Sequence, residues 1–415
     1  MAEATTQKLN YAMNPTKASG SRSYRTKIYP SNSTTAQANQ TTIIDLPSNM
    51  PTTYMDYTNT VFTFTLTNND AAAVVLDKAG CLALIKKIEL VTSGGIVLSS
   101  IDEYGALASM FLSLQTDNTY LAGVGANMLG TTGDADGLSI AAGGSRKFCM
   151  PLVLTPLFDN KYWYLGSRDY LSIQITWHTA AKGTVGAATD SEIQFSNMSL
   201  ISYFIELNPE VQQMVASNVG NKFKMICNDW RHTQASLGTE QSLVTTLGFS
   251  FNSLNRILFC HRGTSNTAAA YSQMNRSTRL INRYWFSLGG VQYPQVPVDV
   301  DLGSGAEVLY ELEVAQHSLG SLQYDNSINN GGGFLLDAGA GTSNALSGRF
   351  LGGVNFESQH SGDKGLYSGV NSMGSQIQYN GEYATGVACV VDFYADYTVE
   401  YYLDMNVDGV WNKLT

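Results

Sequence analysis

Nine non-polar side chains recur at strict two-residue spacing late in this sequence: Val387, Cys389, Val391, Phe393, Ala395, Tyr397, Val399, Tyr401 and Leu403. Asp392, Asp396, Glu400 and Asp404 fall on the other parity. A helix would scatter this pattern around its surface, whereas an extended strand puts every second residue on one face. At ~3.3 Å per residue the run would extend about 55 Å, several times an ordinary strand. Such a strand must bend or be shared between two pairings.

Alternation of the same kind appears earlier. Phe62, Phe64 and Leu66 alternate with Thr63, Thr65 and Thr67; Leu171, Ile173, Ile175 and Trp177 alternate with Ser172, Gln174 and Thr176. These are strands rich in β-formers, each with one face in a core. Helical spacing is confined to three short places. Asp102 can cap a segment carrying Tyr104, Leu107, Ala108 and Phe111. Ser304-Gly305-Ala306-Glu307 has the spacing of a capping box ahead of Val308, Leu312 and Ala315. Asn208-Pro209-Glu210 opens a third helix, with a cap, a proline at the first helical position and an acid near the positive dipole end. That helix closes at Asn218-Val219-Gly220, near the middle of the chain.

The two sides of that helix repeat an architecture. Ile85 to Leu90 leads through Ser93-Gly94-Gly95-Ile96 towards one helix, and Ile281 to Phe286 leads through Leu288-Gly289-Gly290-Val291 towards another; the Gly-Gly turns are 195 positions apart (289 − 94). Each half then has a Gly-rich polar insertion (Gly130 to Gly144, Asn329 to Gly341) and a long closing strand (Ile193–Leu207, Val387–Leu403). The expected fold is all-β: two tandem β-sandwiches of about eight strands each, with a few short helices. The expected division is an N-terminal arm over 1–22, a first sandwich over 23–207, a linker helix over 208–220, a second sandwich over 221–405 and a tail over 406–415. No acid occurs from Ala4 to Ile44, while Lys8, Lys17, Arg22, Arg25 and Lys27 are basic. The stretch reads as a mobile arm, not part of a core.

Composition narrows the function. Charged residues are 14% of the chain against the usual ~25%, as suits a surface covered by neighbours. The net charge of −10 argues against a whole-chain nucleic-acid coat. Five scattered cysteines without a CxxC pair (Cys81, Cys149, Cys227, Cys260, Cys389) read as reduced, buried thiols, pointing to folding in a reducing cytosol. Met1-Ala2-Glu3-Ala4 lacks the features of a secretory leader, and no apolar stretch approaches the ~20 residues of a spanning helix.

Catalytic patterns are missing: there is no GxSxG, HExxH or Walker motif, and His178, His232, His261, His317 and His360 lack ligand spacing. Cys260 and His261 are adjacent, but strand neighbours face opposite ways. The expectation is a protein that is not an enzyme and has no cofactor. Asp404-Met405-Asn406-Val407-Asp408-Gly409 matches the opening half of a calcium loop, with Asp404, Asn406 and Asp408 as candidate ligands. Its twelfth position would be Thr415, where a bidentate Glu is required, so a polar hairpin turn is the simpler reading; Asp134-Ala135-Asp136-Gly137 reads as a plain loop.

The order of these features resembles the double jelly-roll major capsid proteins of the tectivirus–adenovirus lineage, including Polinton-like viruses, virophages and small phages. Arg283-Tyr284-Trp285-Phe286-Ser287-Leu288-Gly289-Gly290-Val291-Gln292-Tyr293-Pro294 carries most of it, with Pro151 to Phe158 and Gly365 to Asn371 at the positions of surface loops. The resemblance implies a major capsid protein that forms homotrimers, then pseudo-hexagonal capsomers tiling an icosahedral shell. Its implied partners are itself, neighbouring capsomers and penton or minor capsid proteins. The arm residues Lys8, Lys17, Arg22, Arg25 and Lys27 would contact the inner face, an internal membrane or the genome. Its place would be the virion capsid. The rival reading is a secreted all-β carbohydrate-binding or glycoside-hydrolase module, motivated by 23 tyrosines and five tryptophans; it requires aromatic residues lining one exposed groove beside paired carboxylates.

Overall fold

In the computed structural model of this 415-residue chain, the described residues are 21–132, 137–156, 162–185, 189–263, 273, 276–300, 305–317, 349–358, 368–384 and 388–414. Lys8, Lys17, Asp134 to Asp136, Ser304, the Asn329 to Gly341 stretch, His360 and Thr415 lie outside them.

The first strands among the described residues are β1 (Ser21–Ile28), β2 (Ala36–Gln37), β3 (Thr41–Asp45), β4 (Thr53–Asn68) and β5 (Val74–Leu76). The hairpin of β6 (Ile85–Thr92) and β7 (Val97–Asp102) leads to α1 (Tyr104–Gln115), α2 (Asn118–Ala122) and α3 (Val124–Met128). Next come β8 (Ser139–Ile140), β9 (Ser145–Pro151), β10 (Trp163–Tyr164), β11 (Leu171–Trp177), α4 (Ala180–Gly183), β12 (Thr184–Val185) and β13 (Ile193–Leu207). After α5 (Pro209–Val219), the second half runs through β14 (Lys222–Leu237), β15 (Ser242–Leu247), β16 (Leu254–Gly263), β17 (Ile281–Leu288) and β18 (Val291–Asp299). It closes with α6 (Ala306–Ala315), β19 (Gly352–Asn355), β20 (Ile377–Tyr383), β21 (Cys389–Asp404) and β22 (Trp411–Leu414).

Each half builds the same pair of facing antiparallel sheets. In the first, β1, β13, β4 and β9 lie side by side opposite β3, β11, β6 and β7. In the second, β14, β21, β16 and β19 lie opposite β15, β20, β17 and β18. Counting the eight principal strands of either half in chain order, the two sheets run 1-8-3-6 and 2-7-4-5, the double Greek key of a jelly roll. The expected tandem pair of eight-stranded jelly rolls is therefore the fold of this chain.

The cores repeat as well. Strands 3, 7 and 8 of the first half supply Phe64, Trp177 and Phe195, with Trp177 and Phe195 stacked at 3.7 Å. The same strands of the second half supply Phe259, Tyr379 and Phe393, with centroids 5.2 Å and 4.8 Å apart. Each such pair adds about 0.5–1.5 kcal/mol to the burial of its rings.

Three local expectations change. The basic stretch is not all arm: β1 is the first strand of the sandwich, paired residue for residue with β13 from Ser21↔Leu207 to Ile28↔Leu200. Low hydrophobicity concealed it because β1 is an edge strand with mostly exposed side chains. Asp102 does not cap α1. The cap position is Glu103, in the left-handed region at φ 49°, and its carboxylate is used elsewhere. Likewise α6 is entered through Gly305 at φ 61° without a side-chain cap. The linker helix was legible to the residue, with Asn208 before it, Pro209 at its first position and Gly220 closing it at φ 61°.

β21 resolves its excessive length by sharing its edges. β14 follows one edge from Lys222↔Asp404 to Leu237↔Cys389; the other is divided between β16, along Cys389 to Tyr397, and β22, along Glu400 to Leu403.

A candidate functional site at the seam between the sandwiches

The acid-bearing face of β21 is not solvated. Asp392 and Asp396 are 0% and 1% exposed, because this part of the second sandwich lies against α1 and β7 of the first. Burying a carboxylate is costly unless it is paired, and here an arginine is set against each, Arg262 against Asp392 and Arg256 against Asp396. Arg262 on β16 grips Asp392 through Nε and Nη2, the latter at 2.9 Å from Oδ1, and Nη2 also donates to Glu103 Oε2 at 3.1 Å. His232 on β14 stands 2.8 Å from Asp392 Oδ1, and His178 of the first sandwich stands 3.7 Å from Glu103. Tyr394 donates to the Glu103 carbonyl at 3.0 Å, which fixes the left-handed turn at the head of α1. Burial, the largest influence, raises the carboxyl pKa values of Asp392 and Glu103, but Arg262 with His232 at Asp392, and Arg262 with His178 and Lys182 at Glu103, together outweigh it and both are lowered. Burial drives His178 to about 4, so its ring is neutral at pH 7.

The seam continues to either side. Ser99 on β7 donates to Asp229 on β14 at 2.6 Å, and Asp229 also accepts from Tyr397 at 2.6 Å and Lys413 at 3.1 Å. Arg276, fully buried, reaches Ser109 and Ser113 on α1 at 3.3 and 3.0 Å. Phe111 of α1 meets Trp230 edge-on at 5.3 Å, and Arg256 lies over the same indole while binding Asp396 at 2.8 Å. Sequence reasoning put Asp392 and Asp396 on the polar face of their strand but did not bring Glu103, Arg262, His178 and His232 together. Their separations along the chain run from tens to hundreds of residues, and only the docking of two sandwiches joins them.

The residues singled out from sequence lie elsewhere. Arg22 pairs with Glu206 across β1 and β13 at 2.6 Å, and Arg25 and Lys27 are exposed on the same strand. Asp404 accepts from the Asn406 amide at 3.0 Å and pairs with Lys222 at 3.0 Å; Asp408 accepts from the Val410 amide at 3.1 Å; the Asn406 side chain donates to Gly220 at 3.2 Å. These groups hold a turn and do not converge on a common point. Among the described residues no group of three or more His, Cys, Asp or Glu side chains could hold a metal ion. Cys260 and His261 are both buried; His261 contacts Tyr383 at 3.0 Å, and burial pushes the Cys260 thiol up to about 12. None of the five cysteines is in a disulfide.

Trp163, Trp177, Trp230 and Trp411 are buried, which leaves only Trp285 partly accessible. The tryptophans therefore do not form the exposed stacking groove a sugar-binding module needs. Exposed apolar side chains are instead spread over the sheets and turns: Val244 at 63%, Val291 at 53%, Val296 at 72% and Tyr310 at 51% in the second half, Tyr29 at 63% and Ile96 at 51% in the first. An apolar pocket of about 190 Å³ opens between α1 and Pro151–Leu154, lined by Leu82, Phe111, Leu112 and Tyr120 among others.

No family model and no curated protein matches the chain. Solved structures do, over nearly its whole length. The PBCV-1 virus capsid superposes with a TM-score of 0.65 at 9% identity, covering 96% of this chain and 98% of that one. The Faustovirus major capsid protein gives 0.61 at 9% identity, over 94% and 92%. The Sputnik virophage structure gives 0.58 at 12% identity, over 100% and 93%. At such identities the likeness is one of fold: two sandwiches, in the same order, in chains of nearly the same extent.

Proposed function

We propose that this chain is a viral major capsid protein, which acts by assembling into a shell. The observation that carries the reading is the whole-length match, sandwich for sandwich, to chains whose structures are those of capsids and a major capsid protein. The buried seam supports it: two sandwiches clamped by paired charges make one building block of fixed shape, which a repeating lattice requires. The division that goes with it is an N-terminal arm ending where β1 begins, a first sandwich to Leu207, the linker α5, a second sandwich through β21, and a C-terminal hairpin.

Three copies form a capsomer in which six sandwiches make a pseudo-hexagonal outline, and capsomers tile an icosahedral shell with penton or minor proteins at its vertices. The weakly charged surface, with Val244, Val291 and Val296 exposed on the β15 and β18 strands of the second half, suits burial against neighbours. Obligate contacts of this kind bury upward of ~2,000 Å² each. The basic residues Lys8, Lys17, Arg22, Arg25 and Lys27 are the candidates for contact with an internal membrane or the genome. The protein is made in the host cytoplasm, where its thiols stay reduced.

Sedimentation and negative-stain imaging of the purified chain test this reading. Particles with the mass of three chains and a hexagonal outline are expected; a chain that stays monomeric at high concentration would overturn it.

A further inference from the structure

The hairpin from Asp404 to Leu414 reaches back across the molecule. β22 adds to the edge of β21 over only four pairs, from Glu400↔Leu414 to Leu403↔Trp411. Its turn, Asn406 to Asp408, is exposed, yet Gly409 and Trp411 are buried. What buries them belongs to the other sandwich. Trp411 packs on Trp163 of β10 with ring centroids 4.3 Å apart. The Gly409 carbonyl accepts from the Arg168 amide at 2.8 Å, and a Cβ at Gly409, where φ is +68°, would stand 2.9 Å from the Arg168 stem. Lys413 donates to Asp229 and to the Tyr397 hydroxyl at 3.1 and 2.8 Å, at the same carboxylate that holds Ser99 of the first sandwich. The turn itself is tied to the end of the linker: Met405 donates to the Asn221 carbonyl at 3.0 Å, and the Asn406 side chain to Gly220.

We propose that this hairpin is a clasp: it sets the angle between the two sandwiches by fastening the linker side of the seam, with the Arg262–Glu103 pair fastening a second point. A strand of four residues adds little to a sheet that already has β14, β21, β16 and β19, so its value to the second sandwich alone is small. Its indole, its glycine and its lysine are all spent at or across the boundary. With the clasp undone, the sandwiches keep their own cores and the Arg262 contacts, and the boundary opens about α5 like a hinge. This concerns a single copy of the chain and stands or falls independently of whether three copies associate.

The test uses the full chain with Trp411→Ala and, as a milder change that leaves Trp411 and Lys413 in place, Gly409→Val. Stacked indoles at this distance couple their ultraviolet transitions, so in Gly409→Val, which keeps both indoles, loss of the exciton band in circular dichroism reports release of Trp411 from Trp163. The intact chain should unfold in one calorimetric transition and the chain with the clasp open in two, one per sandwich, with a larger maximum dimension in solution X-ray scattering. If the exciton band is lost while one transition and an unchanged scattering profile remain, the hairpin does not set the angle and the proposal fails. Should Trp411→Ala not fold, Gly409→Val decides by the same two measurements.

Discussion

At the scale of single residues, the seam is where sequence and environment conflict most. His178 is neutral when folded because burial lowers its pKa to about 4 from the 6.5 of an unconstrained imidazole. The unfolded chain therefore takes up a proton as pH falls below 6.5, and the stability present above that value is lost progressively toward pH 4. At 1.36 kcal/mol per unit the loss approaches about 3 kcal/mol. Lys182 and Lys86 push the same way, Glu103 the other. Asp392, held below the usual carboxylate range by Arg262 and His232 against its burial, loses its contribution only in still stronger acid. Replacing His178 by Gln should remove most of the loss between pH 6.5 and 4.5, read as the shift in denaturant midpoint; an unchanged pH dependence would assign the acid sensitivity to other groups. None of this could be read locally. Glu103 looked like an ordinary residue behind a helix-capping Asp102, and it became the strained head of α1 because Arg262 and Tyr394 hold it there.

At the scale of elements, legibility followed how far each signal depended on the local chain. Period-two alternation located β4, β11 and β21, because a strand with one face in a core must alternate, and the repeat offset located β13. The cap, proline and terminal glycine of α5 placed its ends for the same reason. Where the partner was distant the reading failed: β1 has few apolar residues because it lies on an edge, and it gained its place only from β13. β19 was not legible either. It is a short strand whose Gly352 pairs with Phe259, and a Cβ there would stand 2.3 Å from that ring. The glycine makes room for the aromatic core of the second sandwich. Gly352→Val should overpack this core and cost about 1–3 kcal/mol, measured by chemical denaturation. A value near zero would mean that the Phe259 ring can swing aside.

At the scale of the whole molecule, the halves are held by what lies between them more than by what links them. The linker α5 is mostly exposed, with Gln212 its buried contact, bonded to Tyr54 at 2.9 Å. A protease site inserted into α5 should therefore yield, after cleavage, two fragments that still elute together from a sizing column and separate only in denaturant. Elution as two independent bodies would show that the seam needs the tether. The tandem repeat was visible in sequence as two Gly-Gly hairpins and two closing strands, while the contact between the repeats was not. A repeat pattern states what each unit is made of and is silent on the face it turns to its twin.

The ladder between β14 and β21 runs unbroken through sixteen residues on each strand, from Lys222↔Asp404 to Leu237↔Cys389. At ~3.3 Å per residue that is a girder of about 50 Å. If the strands stand upright in a shell wall, the girder fixes the wall's thickness, and a load pressing outward meets it lengthwise. Such a load is carried in shear by all the rungs at once, so the wall resists bursting without any single bond being strong.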